Sequence, residues 1–244
     1  MAQVIPEPWQ VPPRFRQRIG AHAGKQRAMV EDGHLLLILH DVPKAGDPER
    51  TARLFWRDAG AQWKASGGQG NGLAALKRHL EGFQAAVHEL DEKVDRSHRN
   101  LSHGADELYD VLRTITPLHR TVRHLHKTLQ DAREGIDDKD LISMRDLAGD
   151  LERATELVVA DAKNALEYTE AKAAAEQAVF AKKTVDAQHR LNLLAALFFP
   201  VTAVASVLGT EMRTGLEGTG AWLFWLLIAA SIAIGFFIRG SLSK

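Results

Sequence analysis

The sequence predicts an α+β chain, mainly α, with a small cytoplasmic α/β domain, a long stalk helix and a two-helix C-terminal transmembrane hairpin. Three observations carry that expectation. Two apolar runs, Leu191–Leu208 and Ala221–Ile238, contain no charged residue. The stretch from Asp137 to Leu208 lacks glycine and proline apart from Gly149 and Pro200. Ahead of the glycine-rich "GGQGNG" of Gly67–Gly72, short β-compatible runs stand where helical periodicity is missing.

The first 33 residues carry Pro6, Pro8, Pro12 and Pro13 and read as an irregular tail. "HLLLILHDV" (His34–Val42) is a short apolar run of strand type, far too brief to cross a bilayer. "RLFWRDAGAQWKAS" (Arg53–Ser66) has the pattern of a hairpin turning at Asp58-Ala59-Gly60, with Phe55, Trp56 and Trp63 giving the strands bulk. The glycine-rich break lacks a lysine at phosphate-loop spacing and reads as a flexible linker.

From there the apolar period becomes helical. Leu73, Leu76, Leu80, Phe83, Val87 and Leu90 define one amphipathic helix. A second is expected from an N-cap at Ser102 to Gly135, with Pro117 kinking it or starting its second half. A third begins at the acidic Asp137-Asp138 pair, which suits the helix dipole. Unbroken to Leu208, it would be roughly 100 Å long. Met144, Leu147, Leu151, Ala154, Val158, Ala162 and Leu166 form its apolar seam, which wants partner helices or its own domain to pack on. The boundaries are therefore a tail over 1–33, the α/β domain over 34–136, a stalk over 137–190 and spans over 191–208 and 221–238. The loop between the spans is 209–220, and 239–244 form a cytoplasmic tail.

Thirty-one basic and 31 acidic residues leave no net charge, which gives no case for a nucleic-acid partner. No cysteine is present, so disulfides and thiolate metal sites are excluded. No apolar block of signal-peptide type stands near the N-terminus. Each apolar run is about 18 residues, near the lower limit for a span. Lys182, Lys183 and Arg190 before the first run and Arg239 and Lys244 after the second place both termini in the cytoplasm and the loop outside. Trp222 and Trp225 suit the interface. The expectation is a multi-pass protein of the inner (plasma) membrane, in contact with lipid.

On a 100° wheel, Asn192, Ala195, Phe199, Thr202, Ser206 and Gly209 fall in an arc of roughly 100°, in line with Gln188. Two readings fit such a line: hydrogen bonding between helices, or the lining of a pore around which several copies assemble. In the second run, Ala229, Ala233, Ser231 and Gly235 offer small-residue contacts.

The stretch "LN…FFPVT…G", with Leu191, Asn192, Phe198, Phe199, Pro200, Thr202 and Gly209, resembles the first membrane helix of the CorA family of divalent cation transporters. "LRTITPLHRTV" (Leu112–Val122) is similar to that family's proline-containing cytoplasmic helix, and "RDLAGDLERATEL" (Arg145–Leu157) to the start of its stalk. The resemblance spans roughly Asn71 to Lys244 and is specific mainly in the membrane segment. It implies a homopentamer, a pore lined by the first span, and a cytoplasmic funnel closed by divalent ions between subunits. Against that pattern the cytoplasmic domain is reduced. The family closes its first span with Gly-Met-Asn, whereas here Gly209 is followed by Thr210, Glu211 and Met212, which become the candidate pore mouth. A ring of Glu211 carboxylates would attract cations by charge.

Asp137, Asp138, Asp140, Asp146 and Asp150 form the densest acidic patch and are the candidates for a regulatory hard-metal site. A solvated helix start explains them equally. His119, His124 and His126 suggest metal binding, while Arg120 and Arg123 beside them suggest a basic solvated face. No catalytic constellation appears, so no enzyme activity is expected. No bound cofactor is expected either; magnesium or another divalent cation would be the transported or regulatory ion. A membrane-anchored oligomeric scaffold or sensor that conducts nothing is the rival reading, and a signal-gated effector pore of the same type is a third.

Overall fold

A four-stranded sheet with two buried faces sets the layout. The computed structural model describes residues 5–20, 22, 24–44, 51–67, 70–99, 104–208 and 222–242. Four strands, β1 (Arg27–Glu31), β2 (His34–His40), β3 (Ala52–Arg57) and β4 (Trp63–Ala65), pair antiparallel in the order β1-β2-β3-β4. β2 is a continuous apolar run rather than an alternating one because both of its faces are buried. Leu35, Leu37 and Leu39 point to one core, with Phe55 and Trp63; Leu36 and Ile38 point to another, with Leu54 and Trp56.

The second face is covered by the N-terminal segment, which corrects the expected irregular tail. Pro13–Arg18 form helix α1, entered through Pro12 and Pro13, and Arg27–Glu31 are β1. Proline is accepted at a first helical turn, where its missing N–H has no intrahelical partner. Ile5, Trp9, Val11 and Phe15 are buried there, with Trp9 centred 5.8 Å from the Trp56 ring. Arg16 Nη2 donates to the Trp9 carbonyl at 2.9 Å and holds the segment closed.

The β3–β4 turn lies where expected. Asp58 and Gln62 close it: the Asp58 N–H donates to the Gln62 carbonyl at 3.0 Å, and the Gln62 N–H to Asp58 Oδ1 at 2.9 Å. The expected slack linker has a constrained end, for Gly72 packs directly on the β4 backbone. A Cβ built at Gly72 would meet the Lys64 nitrogen and the Trp63 and Lys64 carbonyl carbons.

Helices α2 (Gly72–Arg99) and α3 (Gly104–Gly135) lie on the first sheet face. Asn71 Oδ1 accepts the Leu73 N–H at α2's start. Ser102, the expected cap of α3, lies outside the described residues. α3 continues through Pro117 as one helix. Gln26 ties sheet to helix, accepting from the His40 N–H at 3.2 Å and donating to the Thr121 carbonyl at 2.8 Å.

α4 (Lys139–Leu208, 70 residues) is the long helix expected, unbroken at Gly149 and Pro200. Leu141, Met144, Ala148, Leu151, Val158, Ala162 and Ala165 bury its seam in the core shared with α2 and α3. The apolar stripe is therefore satisfied over that stretch by its own domain, and self-association does not follow from it. From Ala171 to Asn192 every residue is exposed. α5 (Trp222–Leu242, 21 residues) is the last element. The chain divides into two units, Met1–Ala171 and Lys172–Lys244.

Candidate functional site

The chemistry-bearing part of α4 begins after Arg190. By length and composition it is the one helix among the described residues able to cross a membrane, and none of its apolar window is buried. Leu191, Leu194, Phe198 and Phe199 are each more than half exposed. A core helix of a water-soluble protein would bury such side chains, so this surface requires another apolar phase or partner. In α5 the apolar stretch Ile228–Phe237 is shorter, between 10 and 17 residues. Trp222 and Trp225 are 63% and 67% exposed. Ser231 and Gly235, four apart and so on one side, are buried, whereas Ala229 and Ala233 are exposed. The covered small-residue side is thus Ser231–Gly235.

Of the expected pore-lining residues, Asn192, Phe199, Thr202 and Ser206 are exposed and Ala195 is half-buried, all on uninterrupted helix. The Thr202 hydroxyl donates to the Phe199 carbonyl at 3.0 Å, so the span satisfies this donor locally. Pro200 removes the amide that would bond the Ala196 carbonyl, yet the helix continues. Gly209, Thr210, Glu211 and Met212, the candidate mouth, lie outside the described residues.

The acidic patch has other employment. Asp138 is the N-cap of α4: its Oδ1 accepts the Asp140 N–H at 2.9 Å. Its Oδ2 also accepts Arg57 Nε at 2.7 Å, with both side chains only 12–13% exposed. Asp140 faces Lys77 at 3.5 Å, Asp146 faces Arg145 at 3.1 Å and Asp150 faces Arg153 at 2.6 Å. Among the described residues no group of three or more His, Asp or Glu side chains is arranged to hold a metal.

The histidines of α3 part company in the same way. His119 Nδ1 lies 2.9 Å from Thr155 Oγ1 and His126 Nδ1 lies 2.6 Å from Glu152 Oε2, so both tie α3 to α4, while His124 is exposed. Gly149 leaves room for the His126 ring, which a Cβ there would approach to 3.3 Å. Sequence reasoning passed over His79. It is buried between Phe55 and Phe83, and Asp41 stands 3.5 Å from its Nδ1. Burial pushes its pKa down to about 4, with the Asp41 carboxylate opposing only in part. Its one readable signal was a histidine three residues past Leu76, on the apolar side of α2.

No family model and no curated protein matches the chain. Among solved structures it is similar to the full-length CmaX protein, at 17% identity and a TM-score of 0.43, over 91% of this chain and 79% of that one. It is also similar to the ZntB cytoplasmic domain from Vibrio parahaemolyticus RIMD 2210633, at 12% identity and a TM-score of 0.41, over 67% of this chain and 79% of that one.

Proposed function

We propose that the chain is a CorA-like membrane channel or transporter for cations, divalent ones above all, acting as a homo-oligomer, in the family's case a pentamer. The first span, 191–208, lines the pore, and the second lies outside it. The single observation behind this is the exposed apolar stretch of α4, which carries Asn192, Thr202 and Ser206 along one side. Amide and hydroxyl oxygens on such a line replace part of an ion's hydration shell when several copies surround an axis. Glu211 adds negative charge at the outer end and concentrates cations there. The N- and C-termini are cytoplasmic and the membrane is the inner (plasma) membrane. Because α4 is one helix, a change at its capped start reaches the pore line without an intervening hinge loop; this is the basis for gating by the cytoplasmic domain. The cation is cargo or regulator, and any regulatory site on the aspartates would have to be completed by another copy.

The departure at Gly209-Thr210-Glu211-Met212 from Gly-Met-Asn favours a second reading, a non-conducting oligomeric scaffold or sensor. A signal-gated effector pore is the variant in which conduction is kept and the gate is changed. Flux of divalent and monovalent cations into liposomes holding the purified protein separates them. Conduction that is lost or altered in both Asn192→Leu and Glu211→Ala supports the pore. Well-assembled protein that passes no cation, with and without magnesium, overturns transport.

A further inference from the structure

In the first unit, a groove of about 430 Å³ runs where α2 meets α4. Its floor is apolar, made by Val87 from α2 and Leu147, Leu151, Ala154 and Val158 from α4. Leu157 lines it too and is 64% exposed. The rim is acidic: Asp91 on α2, and Asp150 and Asp161 on α4. Asp150 is paired with Arg153, whereas Asp91 and Asp161 make no ion pair among the described residues.

The floor is largely buried by its own domain, and the exposed Leu157 beside it is the apolar side chain that a partner covers favourably; the carboxylates say which kind of partner. A second copy presenting the same groove would set Asp91, Asp150 and Asp161 against their own equivalents. Like charges juxtaposed at an interface are strongly unfavourable, which disfavours a two-fold contact through this groove. The complementary surface is on the same chain. Arg113, Arg120 and Lys127 are exposed on α3 at intervals of about two helical turns, with exposed Arg123 beside them. Arg123 lies 3.9 Å from Glu152, while the other three have no ion-pair partner among the described residues.

The dimensions agree. Arg113 to Lys127 covers about 21 Å of helix axis, and Asp150 to Asp161 about 16 Å. Long basic side chains lay their apolar stems on a floor of this kind while their heads reach a charged rim. We infer that the acid-rimmed groove of one chain receives the basic α3 stripe of a second copy. Such a contact is head-to-tail, the type that closes into a ring when its rotation closes. It rests on the oligomeric reading above and adds the surface through which copies meet.

The chain has no cysteine, so single cysteines report the contact cleanly. Full-length protein bearing Leu157→Cys with one affinity tag and protein bearing Arg120→Cys with another are co-expressed, solubilised together and mildly oxidised. The expected product is a disulfide between the two differently tagged chains. Asp91→Lys with Asp161→Lys in the groove-bearing chain cuts its yield roughly tenfold or more, and Arg113→Glu with Lys127→Glu in the stripe-bearing chain restores it. Disulfides between two chains that both carry Leu157→Cys overturn the inference. An oligomer by native mass that gives no groove-to-stripe disulfide overturns it too, and leaves the channel reading standing. A protein that is monomeric by native mass removes both.

Discussion

Asp138 makes the sharpest stability test because it does two jobs with two oxygens. Replacing it with alanine removes the acceptor for the Asp140 N–H, a cap contribution of about 1 kcal/mol. It also strands Arg57, whose side chain is 12% exposed. Breaking a fully buried pair costs about 3–5 kcal/mol. Here Arg57 Nη1 keeps the carbonyls of Gly33 and Asp58 at 3.4 Å, and about 2 kcal/mol is the fitting figure. Asp138→Ala should therefore cost about 3 kcal/mol, and Asp138→Asn, which keeps a capping oxygen, about 2. Arg57→Met should be costly alone and clearly less so on top of Asp138→Asn, with a coupling energy of about 1–2 kcal/mol. Urea titration of the solubilised full chain, followed by tryptophan emission, measures all four proteins; Trp9, Trp56 and Trp63 report on this unit. Losses within about 0.5 kcal/mol for Asp138→Ala, or an Asn variant as damaged as the Ala variant, would refute the division of labour. The same series addresses metal binding. If Asp138 is occupied as described, any shift in melting produced by magnesium stays the same size in Asp138→Asn.

Three further outcomes are expected. Gly72→Ala should destabilise by at least about 2 kcal/mol, since its Cβ has only backbone to displace, whereas Gly82→Ala on α2, with Val42 Cγ2 at 3.9 Å, should stabilise by about 0.5–1 kcal/mol; thermal melts of the pair check the contrast. His79, neutral in the folded chain, makes stability fall as pH drops from about 6.5 to about 4, because the unfolded chain takes up the proton first. The ceiling of that loss is about 3 kcal/mol, and His79→Leu should flatten the stability–pH curve over this window. Phe15→Ala should cost about 3–5 kcal/mol through the second sheet face, read by the same denaturant titration.

The helices were legible because their signals are long and periodic. Leu76, Leu80 and Phe83 mark α2, and the run without helix breakers marks α4 to within two residues of its start. The N-terminal cover was not legible for a local reason. Four prolines outweigh Trp9 and Phe15 in any short window, and only the unalternating Leu35–Leu39 run hints that a second face needs burying. The acidic patch misled in the opposite direction. Spacing along a helix cannot reveal that Arg57, 81 residues away, already holds Asp138. The seam of α4 was visible, but which surface it would meet depended on where α2 and α3 lay. The polar line of the span is purely local, and it is as visible in the sequence as in the folded helix.

The bare stretch of α4 between Ala171 and Asn192 has one more consequence. Its "AKAAAEQAVFAKK" is rich in strong helix formers, so in a lone chain nothing but its own hydrogen bonds defends its amides. Their deuterium uptake would then follow local fraying, many orders of magnitude faster than at Leu118 or Val122 in the core. Protection at those alanines above the level of a free helix can come only from neighbours, which makes this otherwise featureless segment a built-in gauge of how many chains stand around it.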